Sequence, residues 1–155
     1  MCCKLPSIAA LNKPADRWCT HCKPGLNGCQ IYADRPQPCI DFMCEWLRHA
    51  DIPDVWYPAN SKMILNVGPA NGQFRFMNVM VDPGSPNRWR ESPYHALLRH
   101  MALVGMQRGH KILVRVSSGL RDFIVLPLDD VEVPNGSTGI DVIITPAGDW
   151  SLKFI

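Results

Sequence analysis

From residue 61 onward, polar and apolar positions alternate with a period of two in several runs. SKMILNV and GQFRFMNVMV (residues 61–67 and 72–81) flank an Asn71-Gly72 turn signal and predict an antiparallel hairpin. KILVRV and DFIVLP predict a second pair around Ser118-Gly119, and IDVIIT and WSLKFI a third around Pro146-Ala147-Gly148-Asp149. Between them the period changes to that of a helix: Ser92-Pro93 forms a start signal, and Tyr94, Leu97, Leu98, Met101 and Ala102 make an apolar stripe to about Gln107.

The first 38 residues hold no such period. They are rich in Pro, Cys, Asn, Asp and Gly, and read as loops and turns that cannot bury enough apolar area to hold themselves. CIDFMCEWLRHA, from Cys39, spaces Ile40, Met43, Trp46 and Leu47 as one short helix carrying Cys39 at its start and Cys44 within it. The expected fold class is α+β: a loop-rich N-terminal cysteine module with a short helix, residues 1–50, packed as one compact unit on residues 51–155, an antiparallel sheet with one principal covering helix.

The chain has 155 residues, 46% of them hydrophobic, and a formal net charge of +2 without a run of like charges. This suffices for a core and does not suggest nucleic acid or a membrane surface as partner. Its apolar runs fall short of the roughly 18 residues of a membrane span, and the first twenty residues lack a signal-peptide hydrophobic region, so a cytoplasmic protein is expected. Cys2-Cys3 has no polybasic or amphipathic companion that would favour lipidation.

In that compartment seven cysteines point to metal rather than to disulfides. The spacing is Cys19-x2-Cys22-x6-Cys29-x9-Cys39-x4-Cys44, with Cys2 and Cys3 upstream; all seven are candidate metal ligands. A Cys-x2-Cys turn lets two thiolates converge on one ion, and Pro24-Gly25 and Gly28 supply the turns. Bound metal contributes on the order of 10 kcal/mol of folding free energy to such a site. Lys23 and Arg35 are candidates to offset its negative charge. Thiol-only ligation suits zinc and an iron–sulfur cluster alike, and the spacing matches neither ferredoxin pattern.

Trp18-Cys19-x-His21-Cys22, followed by Gly28-Cys29-x-Ile31-Tyr32-x2-Arg35-Pro36-x2-Cys39-x2-Phe42-x-Cys44-x-Trp46-Leu47, resembles the YkgJ-type cysteine-cluster family of zinc- or iron-chelating domains. The resemblance covers about residues 2–50 and implies a bacterial cytoplasmic protein whose cysteines hold metal, an iron–sulfur cluster included. By position it implies Cys19, Cys22, Cys29, Cys39 and Cys44 as ligands. Relatives open with a longer cysteine-bearing run, whereas here Cys2-Cys3 directly follow Met1; either the cluster has lost a ligand or the true start lies upstream.

Other residues carry less. His21, in the middle of the Cys-x2-Cys turn, points away from an ion bound there. His49 lies five residues after Cys44, and His95 and His100 are five apart, so none shares a helix face as a zinc pair would; these read as surface histidines. Asp129, Asp130 and Glu132 read as a solvated turn. No phosphate loop, nucleophile elbow or zincin helix is present, which leans against an enzyme. The alternatives to a chelating protein are an interaction module with a structural metal and an iron–sulfur electron carrier.

Overall fold

In the computed structural model, which describes residues 1–26, 28–71, 74–107, 111–144 and 150–155, the alternating runs become strands. The N-terminal part holds a 3-10 turn (Ala9–Leu11), two short strands (β1, Cys22–Lys23; β2, Gly28–Cys29) and two short helices (α1, Gln37–Asp41; α2, Glu45–Arg48). A 3-10 turn (Asp54–Trp56) and α3 (Pro58–Ser61) lead into β3 (Met63–Asn71) and β4 (Phe74–Val81). A further 3-10 turn (Arg88–Arg90) precedes α4 (Tyr94–Gln107), and β5 (Ile112–Ser118), β6 (Arg121–Val125), β7 (Asp130–Glu132), β8 (Ile140–Ile144) and β9 (Trp150–Phe154) complete the chain.

Strands β3 to β7 form one five-stranded sheet in sequence order, and β8 and β9 a separate hairpin. The three expected pairings are present and antiparallel: β3 with β4, β5 with β6, and β8 with β9. Gly72 and the residues 145–149, where two of the turns were expected, lie outside the described residues. The β4–β5 pair is parallel, so the sheet is mixed where a wholly antiparallel one was expected. The reason is α4: it carries the chain back along the sheet between the two strands, and a crossover helix joins parallel neighbours.

That helix covers one face. Met63 and Leu65, Val79 and Val81, Val114 and Val116, and Phe123 and Val125, each pair two residues apart on its strand, form a core with Tyr94, Leu98 and Ala102 of α4 and with Trp56 and Trp89. Each such side chain taken from water contributes about 1.5–3 kcal/mol. The opposite face carries Ile64 and Met80, paired across β3 and β4, and here the cysteine module docks: Leu5, Cys44 and Ile64 form a second buried cluster with Met1, Phe42, Trp46 and Met80 around it.

The single helix expected from Cys39 onward is broken. Phe42 at the end of α1 and Cys44 at the start of α2 are both extended. The break turns Phe42, Cys44 and Trp46 toward Leu5 and the sheet, and leaves Ile40, Met43 and Leu47 of the anticipated apolar stripe exposed.

Asp130 and Glu132, expected in a solvated turn, are in β7. Asp130 is 2.8 Å from His95 Nε2 and 3.5 Å from Arg99 Nη2, and Glu132 accepts a hydrogen bond from Arg121 Nε at 2.7 Å. His95 is therefore half-buried in an ion-pair network, while His100 is exposed. No described helix is long and apolar enough to cross a membrane.

Candidate metal centre

The cysteine module is a set of turns tied by backbone hydrogen bonds. Cys22 N–H donates to Cys19 O at 3.0 Å, closing the Cys-x2-Cys turn, and Cys19 N–H donates to Cys3 O at 2.8 Å, which brings the first cysteines beside it. Gly25 and Gly28, at φ +79° and +63°, let the chain reverse so that β2 returns along β1. Cys22 and Cys29 then stand directly opposite one another. Because His21 O accepts from Gln30 N–H in the neighbouring pair, Cys22 and Cys29 occupy the close, non-hydrogen-bonded position.

The result is a cavity of about 390 Å³ walled by Cys2, Cys3, Cys19, Cys29 and Cys39, with Ile8, Phe42 and Arg35 among its other residues. Five cysteines from four separate segments thus line one space. Cys22 is linked to it through Cys3, whose thiol is within hydrogen-bonding reach of both Cys2 and Cys22. Cys44 is not there: it is buried against Leu5 and Ile64, so the structure places it in the core that docks the module. All seven thiols are unpaired.

Their ionisation is coupled. The hydrogen bond from Cys3 holds the Cys2 thiol down at about 6, and the same bond, with burial and the neighbouring Cys22, pushes Cys3 well up. Burial raises Cys39, as do Cys19 and Cys29 by repulsion, while Arg35 acts the other way.

Of the two expected counter-charges, Lys23 is exposed on β1, whereas Arg35 lines the cavity and stacks its guanidinium 4.0 Å from the Tyr32 ring centroid. The cation that the sequence reading passed over is Lys13. It is 6% exposed, and its ammonium donates to Lys4 O (2.8 Å), Pro6 O (2.5 Å) and Pro14 O (2.9 Å). Nothing in the local sequence marks it, since its acceptors are carbonyls of a loop folded back around it. His21 is half-buried beside the thiols, and His49 is exposed with its Nε2 3.1 Å from the buried Glu45 carboxylate.

Among the described residues no three His, Cys, Asp or Glu side chains are already grouped as a coordination sphere. Thiols from four segments nevertheless line one cavity, and soft sulfur donors are the kind that a thiophilic metal takes. Comparisons of the sequence and the fold with known proteins match no family model, no curated protein and no solved structure.

Proposed function

We propose that residues 1–50 form a chelating module that binds zinc or iron, the latter as an ion or an iron–sulfur cluster, through thiolates drawn from Cys2, Cys3, Cys19, Cys22, Cys29 and Cys39. The observation that carries this reading is the convergence of Cys2, Cys3, Cys19, Cys29 and Cys39 on one cavity. Unpaired thiols that serve only as small hydrophobes scatter through a core, as Cys44 does, and do not wall a common space. The resemblance of the cysteine spacing to the YkgJ-type family points the same way, and a reducing bacterial cytoplasm is the setting that this reading proposes.

When bound, the metal would supply folding free energy to a segment that has few apolar contacts of its own. The chain's own part is to bring the thiols together: Cys2 is held below the usual thiol range, whereas Cys3 and Cys39 are pushed above it and must give up their protons to ligate. Anaerobic purification followed by elemental analysis and an absorption spectrum tests the proposal. Stoichiometric metal is expected, colourless for zinc and brown for an iron–sulfur cluster. The Cys19→Ser/Cys22→Ser double variant should lose it, and a double variant that kept its full metal content would sink the idea.

A further inference from the structure

Lys13 is the only lysine buried among the described residues, and its surroundings explain its state. Three backbone carbonyls accept from its Nζ. A neutral amine has two N–H groups and the ammonium three, so the geometry calls for the charged form. Its backbone pairs with Ile8, N–H to O in both directions at 2.9 and 3.1 Å. Ile8 and Pro6 both line the thiol cavity, so Lys13 stands directly behind the cavity wall. Burial is the largest influence and draws the Lys13 pKa below the ordinary lysine value, while Cys19, Asp16, Cys3 and Cys39, in that order, act the other way and favour the charge. Three of those four are candidate ligands.

A divalent ion held by four thiolates carries a net charge of about −2, which a poorly solvated site must offset. We propose that Lys13 is the built-in counter-charge of the thiol site, a buried ammonium fixed by carbonyls whose field favours the thiolates of the neighbouring cysteines and the metal–thiolate assembly they form. It is a positioning residue and not a ligand. The inference rests on the chelation reading above but has its own readout.

Two variants separate charge from scaffold: Lys13→Gln keeps amide donors and loses the charge, and Lys13→Arg keeps both. In zinc competition against a chromophoric chelator, Lys13→Gln should bind about tenfold more weakly or worse, and Lys13→Arg within about threefold of wild type. In the metal-free protein, the pH profile of thiol alkylation by iodoacetamide should move upward in Lys13→Gln and stay in place in Lys13→Arg. A Lys13→Gln protein that melts earlier but keeps its zinc affinity and alkylation profile would overturn the proposal, leaving Lys13 a structural clasp. Should Lys13→Gln not fold, Lys23→Gln and Arg35→Gln decide: zinc affinity within about threefold of wild type in both sustains the proposal, and about a tenfold loss in either assigns the counter-charge to β1 or to the cavity lining and overturns it. A wild-type protein that takes up neither zinc nor iron ends the chelation reading, while the alkylation profiles still judge Lys13.

Discussion

Asp82, the first residue after β4, ties the N-terminal loop to the sheet. Its Oδ1 accepts from Lys4 Nζ at 2.6 Å and from Gly84 N–H at 2.9 Å. Burial pushes the carboxyl up, but these hydrogen bonds and the nearby Lys62 outweigh it and hold Asp82 below the usual carboxylate range. A depressed folded-state pKa contributes stability that is present above the unfolded value, near 4, and is lost as pH falls through the folded one. Asp82→Asn should therefore cost about 2 kcal/mol at pH 7, with the gap to wild type closing below about pH 4. Urea denaturation at neutral and acid pH measures it, and a gap of constant size would show that charge is not the cause. Pairings of this kind were not legible beforehand. Lys4 and Asp82 are 78 positions apart, and Lys13 reaches carbonyls rather than charges.

The crossover helix depends on one close approach. Gly105 of α4 faces β5, and a Cβ there would lie 2.6 Å from the Ile112 carbonyl oxygen, a backbone atom that cannot move aside cheaply. Alanine in a helix gains about 1 kcal/mol over glycine, but overpacking against backbone costs about 1–3 kcal/mol, so Gly105→Ala should be net destabilising. Thermal unfolding gives the sign; a rise in Tm would show that α4 can shift away from β5. The periodic stripe revealed α4 because each turn of it meets the sheet. Residues 37–48 misled for the opposite reason. Two helices of five and four residues have little preference of their own. Their path follows Phe42, Cys44 and Trp46 into the docking cluster, so a helical spacing of exposed residues carried no weight.

Among the described residues the buried side chains form two unequal cores. The larger, between sheet and α4, contains no cysteine, whereas the cluster that docks the module is built around Leu5, Cys44 and Ile64. If metal organises the module, its removal should be felt on one side only. Hydrogen exchange after chelation should speed up across residues 1–44 and leave β3 to β6 as protected as before. Equal loosening of the sheet would mean that the module supports the core instead of resting on it.

What the sequence by itself determined is what local chemistry decides. Period-two runs joined by short turns specify their antiparallel partners, a nine-residue apolar stripe specifies α4, and the cysteine spacing marks residues 1–50 as the segment where thiols concentrate. Tertiary structure alone decided the parallel β4–β5 pair, the break after Asp41, the withdrawal of Cys44 into the core and the place of Lys13 behind the cavity. Each of these depends on contacts between distant segments, where the free energy comes from burial and electrostatics that no short window of sequence contains.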